Sequence, residues 1–409
     1  MKRALIIVSA LVLAFVFSPS QELRHVTGVT NVEVPVRVYD GGIFVDNLTL
    51  KDFEVLENGV PQKVVAVYRV QKTDILSREE NVALQPDTHR TFYLFFEIYE
   101  YIPRLHDALT YFVKNVLGPQ DNFVVVTPAK TYSFSREVFN KLSRDQVVEQ
   151  VNGLLRKDTL TASQEYRHIL EDLKGPAKRL SALLIQGTTG SASIAPPVEG
   201  RLSDVTDEID AALEEYRSAL SRLEGMRFID EQKILSFARF LKKVEGQKYV
   251  FLFYQREYLP LLDKKSLSHT MSSLPQNTQA TLSDLFNYSE RKPGINAETI
   301  QKAYSDSSIG IHFLYLTTLP EQSPGLSYAE RSDDIFAPFL EISRATGGVA
   351  ESTANPFSAM KAAADASENY YLLYYAPLDY KADGKFREIK VSVRGKNYRV
   401  MSRAGYFAN

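Results

Sequence analysis

The densest set of convergent polar groups in this chain follows two continuous apolar runs. The run 91–96 is followed by Glu97-Ile98-Tyr99-Glu100-Tyr101, and the run 249–254 by Gln255-Arg256-Glu257. In an open α/β sheet, ligands gather where the strands end, so these two loops are the first candidates for a site. Glu97 and Glu100 on one turn are the raw material of carboxylate acid–base hydrolysis. No shaped pocket can be read beside them, which ranks hydrolysis third among the readings. Tyrosines interleaved with Glu100, Arg256 and Glu257 have the composition of a protein–protein hot spot. The plain alternative is a solvated loop whose two tyrosines lie on a neighbouring helix.

Other chemistry finds little support. Cysteine is absent, which removes disulfides, thiolate catalysis and thiolate zinc sites. His25, His89, His106, His168, His269 and His312 are scattered, without metal-ligand spacing. The chain has no Gly-x-Ser-x-Gly elbow, dinucleotide fingerprint or phosphate-binding loop. Asp306-Ser307-Ser308 precedes a strand and reads as a helix cap or turn. With 48 basic against 50 acidic residues and a net charge of -2, nothing concentrates the Lys and Arg that nucleic acid demands. No cofactor is expected.

The elements that must position these residues follow from patterning. Lys2-Arg3, the apolar run 4–17 and Ser18-Pro19-Ser20 have the layout of a secretory signal peptide, residues 1–20. It is short for a membrane span, the alternative being an uncleaved membrane anchor; no later segment is long and apolar enough to cross a bilayer, and on either reading the rest of the chain is expected to be exported, periplasmic or extracellular. Val32, Val34, Val36 and Val38 alternate with other residues in a β-rich segment over 23–72. Asn58-Gly59 is a hairpin signal between strands at 53–56 and 64–70. Residues 73–89 lack periodicity and read as a linker. The runs 91–96, 123–126, 249–254, 309–316 and 370–375 then alternate with helical stripes such as Ile102, Leu105, Leu109, Phe112, Val113 and Val116. Continuous apolar strands between amphipathic helices predict an α/β fold, a doubly wound, mostly parallel sheet over 90–377. Residues 159–226 predict a helical insertion, its stripe Val205, Ile209, Leu213, Tyr216, Leu220 and Leu223 forming core or a docking groove. Tyr370, Tyr371, Tyr374 and Tyr375 are expected on an edge strand with hydroxyls in water. Strands within 383–407 are expected to complete a small β-sandwich-like domain with the N-terminal segment, since a few strands alone bury too little surface.

The run 48–55 with Glu57-Asn58-Gly59 and Gln62-Lys63, Gly118-Pro119-Gln120-Asp121, Thr346-Gly347-Gly348, the run 370–377 and Arg403-Ala404-Gly405-Tyr406 form an ordered set of pieces. Together they resemble the bacterial von Willebrand factor A-related domain family. The resemblance implies a von Willebrand A domain with a metal-ion-dependent adhesion site built on Asp-x-Ser-x-Ser after the first strand. Here Glu97 replaces the Asp, and Tyr99 and Tyr101 replace the serines. A hard divalent cation needs several compact oxygen ligands at short range, and a phenol is too long and rigid to supply one there. Gln255 offers an amide oxygen without charge. The expected protein is therefore an exported, metal-independent module that binds a protein or cell-surface ligand and is not an enzyme. Its expected site is Glu97, Tyr99, Glu100, Tyr101, Gln255, Arg256 and Glu257. The alternative is an assembly subunit of an envelope complex that docks through the helical insertion.

Overall fold

The computed structural model describes residues 31–189, 199–226, 231–262, 274–287, 296–306, 309–318, 326–330 and 332–408. The expected signal segment 1–20, His25, His269 and residues 190–198 of the expected loop lie outside them. Alternation builds the first strand: β1 (Val32–Asp40) buries Val32, Val34, Val36 and Val38 and leaves Glu33, Pro35 and Tyr39 half-buried. β2 (Ile43–Phe44) folds back on it. Asn58 and Gly59 have φ of 48° and 81°, the left-handed pair a two-residue hairpin needs. They join β3 (Phe53–Glu57) to the short β4 (Val60–Gln62), and not to the 64–70 run, which forms β5 (Val64–Gln71) in another sheet. The expected linker contains β6 (Asp74–Glu80), an edge strand paired with β5. All its residues but Ile75 are exposed, so no apolar period marks it.

The chain then alternates helices and strands. β7 (Arg90–Glu97) leads to α1 (Leu105–Tyr111), which continues through a wider turn closed by Leu117 N–H on Phe112 O at 3.1 Å. β8 (Asn122–Val126), β9 (Thr131–Phe134) and α2 (Arg136–Lys141) follow. α3 (Arg144–Ala162) starts on a reciprocal Ser143–Gln146 capping box, and α4 (Gln164–Thr189) and α5 (Glu199–Met226) run beside each other. Next come α6 (Glu231–Lys242), β10 (Gln247–Gln255), β11 (Tyr258–Leu262), α7 (Gln276–Asn287) and α8 (Ala297–Asp306). β12 (Ile309–Leu316), β13 (Leu326–Glu330), α9 (Asp333–Ala345), β14 (Ala350–Thr353) and α10 (Pro356–Glu368) lead to the last strands. These are β15 (Asn369–Tyr375), β16 (Phe386–Val393), β17 (Arg399–Ser402) and β18 (Gly405–Phe407). No helix among the described residues is long and apolar enough to cross a membrane.

The sheets correct the expected fold class. Three of the four are wholly antiparallel: β17-β1-β15-β5-β6 with β2 beside β1, β18-β16-β3-β4, and β11-β13. The fourth, β14-β12-β10-β7-β8-β9, is mixed, with β9 antiparallel at its edge. The chain is an assembly of helices with antiparallel and mixed sheets, and not a doubly wound parallel sheet of the von Willebrand A kind. The first two sheets curl into an antiparallel half-barrel around Val34, Val36, Phe53, Val55, Tyr371 and Tyr375.

β15 shows why the pattern misled. Its continuous apolar run signals cover on both faces, and a parallel sheet between helices is only one way to provide it. Here Tyr371, Leu373 and Tyr375 face the half-barrel core, while Tyr370, Leu372 and Tyr374 enter a second cluster with Val65, Tyr68 and Val70. The tyrosines expected on an edge are therefore central. Their hydroxyls reach protein acceptors, Tyr371 on Val45 O at 2.9 Å and Tyr375 on Glu57 at 2.7 Å.

Polar ties join half-barrel and mixed sheet. Arg37 Nη1 donates to Gly347 O at 3.2 Å, and Ala404 N–H to Ala345 O at 2.9 Å. Gly348 passes so close to β12 that a Cβ would stand 1.8 Å from Ile311 O, which excludes any other residue. At the amino end of β7, Arg90 and Asp121 are 1% and 0% exposed and pair twice, at 3.1 and 2.5 Å. Arg90 also donates to Val116 O at 3.1 Å, and Asp121 accepts Gly118 N–H at 2.7 Å. Truncating one partner strands a buried charge. Asp121→Ala is expected to cost about 3–5 kcal/mol in urea unfolding. A loss below about 1 kcal/mol, the size of a surface pair, would show that water reaches the guanidinium.

Candidate functional site

Parallel pairing of β7 with β10 brings their carboxyl ends together, with Glu97 in register with Tyr254. The loop after β7 is closed by Gln255. Its Oε1 accepts the backbone N–H of Tyr99 at 3.2 Å and of Glu100 at 3.0 Å, and it is 1% exposed. The amide oxygen therefore holds the loop from within. Among the described residues, no group of three or more His, Asp or Glu is placed to hold a metal ion.

Both tyrosines are tied inward more than displayed. Tyr99 OH donates to Arg256 O at 2.9 Å, and its ring lies 5.0 Å from that of Tyr166. Burial, helped by Glu257 and Glu100, pushes its phenol above the ordinary range, so it stays a neutral donor. Tyr101 OH donates to Asn152 Oδ1 at 2.9 Å, with the Arg156 guanidinium 4.7 Å above its ring. Glu100 is exposed. The Arg256 guanidinium stacks 4.6 Å from the Tyr315 ring, lies 3.7 Å from Glu330 and donates to Ser352. Glu257 is buried, accepting Tyr254 OH at 3.1 Å while its own N–H donates to Ser332 Oγ at 3.2 Å.

The seven residues thus share one edge but differ in role. Gln255 and Glu257 brace the loop from inside, while Glu100 is open to a partner. Tyr315, Glu330 and Ser332 join the edge from β12, β13 and the start of α9, with Tyr315 OH donating to Glu330 and Ser332 Oγ to Glu330 at 2.6 Å. No local pattern marks these three. They meet only because β13 returns alongside β11.

Glu97 stands apart. Its carboxyl lines a cavity of about 490 Å³ with Phe95, Ile234, Phe237, Tyr254 and Phe339. Desolvation raises its pKa above the ordinary carboxylate value. Glu97 is exposed, so its carboxyl sits at the open rim of the cavity and not in sealed core. Glu97 and Glu100 diverge, since Glu100 lines neither this cavity nor the smaller one of about 270 Å³ beyond Glu97 and Tyr254.

A serine–histidine pair also appears, but in the core. His312 and Ser367 are each 0% exposed, with Nε2 and Oγ 3.0 Å apart. Val349 N–H donates to His312 Nδ1 at 3.3 Å, so Nε2 carries the proton and donates to Ser367. The serine in turn donates to Ala363 O at 2.8 Å. The polarity is opposite to that of a nucleophile and its base. Of the other histidines, His89 pairs with Asp87 at 2.8 Å and His106 with Glu149 at 3.1 Å, both at exposed positions. Asp306 accepts Phe407 N–H at 2.8 Å and pairs with Lys242 at 2.6 Å, which ties α8 to β18 and α6; Ser307 and Ser308 lie outside the described residues.

No family model matches the chain, and no curated protein matches it. Among solved structures it is similar to the crystal structure of the human COPII-coat protein Sec24c, at 9% identity and a TM-score of 0.30, covering 78% of this chain and 44% of that one. A likeness that faint, over less than half of the other chain, carries no argument about fold or function.

Two measurements check this geometry. Gln255→Ala removes the acceptor of two loop amides and is expected to cost about 1–3 kcal/mol. Amide exchange at Tyr99 and Glu100 should accelerate; unchanged protection there would remove Gln255 from this role. Burial, and then the charge of Arg37, push His312 down to about 3. The unfolded chain therefore binds the extra proton, and the stability held above about pH 6.5 declines as pH falls toward 3, by up to about 1.4 kcal/mol per unit. His312→Gln should show a shallower slope between pH 6.5 and 5 in urea unfolding, whatever its absolute stability.

Proposed function

We propose that this chain is an exported, non-enzymatic protein that binds a protein or cell-surface ligand at the strand-tip edge, without a metal ion. The Gln255 amide carries the reading. By accepting Tyr99 and Glu100 N–H at 3.2 and 3.0 Å, it holds the recognition loop in one shape with a neutral group. A loop already ordered loses less conformational entropy when a partner docks. Around it lie an exposed acid, Glu100, an arginine stacked on an aromatic ring, and half-buried Tyr99 and Tyr101, a composition suited to protein recognition. Export rests on the pattern of residues 2–20, and the von Willebrand A-related resemblance rests on its sequence motifs alone.

Two other readings find less support. Paired-carboxylate hydrolysis needs both acids to face one substrate, and Glu97 lines cavities that Glu100 does not. Docking through the α4–α5 hairpin would draw on its apolar stripe. Ile209, Leu213, Tyr216, Leu220 and Leu223 are already covered by Ile169, Leu173 and Leu180 and by Leu259, Leu282 and Leu326; the side chain of Val205 lies outside the described residues.

A photo-crosslinking residue placed at Glu100, in the cells that export the protein, tests the reading. A discrete partner should be captured from position 100, withstand chelation of divalent cations, and be competed by the unlabelled wild type but not by a Glu100→Lys variant. Capture from the exposed position Glu208 on α5 alone would transfer the function to the hairpin, and sensitivity to chelator would restore a metal.

A further inference from the structure

The two faces of the mixed sheet are covered unequally. Against α1, α3 and α10, the β7 and β10 side chains Phe92, Leu94, Phe96, Tyr249, Phe251 and Phe253 are all buried. Against α6, α8 and α9, Phe95, Leu252 and Tyr254 remain half-buried. The helices on that side leave the cavity of about 490 Å³, a volume in the range that holds small ligands. Its wall is apolar and rich in aromatic rings. Phe95 and Phe237 meet edge to face at 4.9 Å, and Tyr254 stands beside Glu97 in register.

Glu97 is the anomaly in this wall. Among the described residues, no hydrogen bond or ion pair reaches its carboxyl. The neighbouring polar groups are engaged elsewhere, Tyr254 OH on Glu257 and Tyr304 OH on Ile234 O at 3.0 Å. Glu97 is exposed yet lines this apolar cavity, so its carboxylate can meet a ligand there without first giving up an internal partner. The same cavity is lined by the rings of Phe95, Phe237 and Tyr254, and aromatic rings attract cations.

We propose that this cavity binds a small lipophilic organic ammonium ion, its charged nitrogen on the Glu97 carboxylate and its hydrocarbon body among Ile234, Phe237, Ile335 and Phe339. The charge of the head group follows from the unpaired anion, and the nature of the tail from the wall. The site lies beneath the strand-tip surface and does not depend on that surface having a protein partner.

Calorimetric titration of the full-length protein with hexylammonium and with 1-hexanol, equal in tail length, tests this. Hexylammonium is expected to bind at least tenfold more tightly than the alcohol and to shift the Ile335 methyl resonance. Glu97→Gln, which keeps the shape and removes the charge, should weaken hexylammonium at least tenfold, leave hexanol within twofold, and raise the melting temperature. Val126→Phe, which fills the cavity from β8, should abolish both. Equal affinity for amine and alcohol, no binding of either to the wild type, or full retention of amine binding in Glu97→Gln would each overturn the proposal. None of these results depends on capture of a partner at Glu100.

Discussion

A guanidinium and a carboxylate almost out of reach of water hold the base of the mixed sheet. Arg90 opens its central strand, and Asp121 closes the turn between the first helix and β8, so their double contact sets where β8 lies against β7. The pair is surrounded by backbone acceptors and donors, Val116 O on one side and Gly118 N–H on the other, and Arg90 also lies 4.9 Å from the Phe92 ring. Buried ions are tolerated only when nearly every polar atom is matched. These contacts fix one position for the strand, although the buried Nη1 of Arg90 finds no partner. The half-barrel is fastened to the same end, where Gln247 N–H donates to His89 O at 2.7 Å and its side chain reaches Glu33 at 3.0 Å.

At the opposite end of the sheet, the loop after β7 is held by neutral groups. A single amide at Gln255 accepts two loop N–H groups, and the tyrosine hydroxyls find carbonyl and amide oxygens. Rigidity there comes from hydrogen bonds, while Glu100 and Glu97 are both exposed. At one end of β7 Arg90 pairs twice with Asp121 while its Nη1 finds no partner, and at the other no hydrogen bond or ion pair reaches the Glu97 carboxyl among the described residues. Arg90 and Glu97, at the two ends of the eight-residue β7, are respectively buried and exposed.

Much of the local structure was legible. Alternating valines marked β1, Asn58-Gly59 marked a hairpin, and the three-and-four spacing marked the first helix. Legibility stopped where two structures share one signature. The run at 369–375 is apolar throughout because two clusters cover it, and nothing in its residues says whether helices or other strands supply the cover. The edge strand at 74–80 was invisible for the opposite reason, since exposed residues need no apolar period. Of the candidate site, the two loops could be found from the ends of apolar runs. The inward ties of Tyr99 and Tyr101 could not, because Asn152 and Tyr166 are brought there by α3 and α4.

By itself, the sequence determined the strands and helices that carry an apolar period or run, that no thiol chemistry is available, and that tyrosines and acids follow the central strands. Those are consequences of side-chain type and spacing, which act over a few residues. Only the tertiary structure decided that antiparallel and mixed sheets dominate, that Gln255 closes the loop, and that Glu97 rather than Glu100 faces a cavity. These depend on which distant surfaces exclude water from a group, and that is settled when the segments pack and not before.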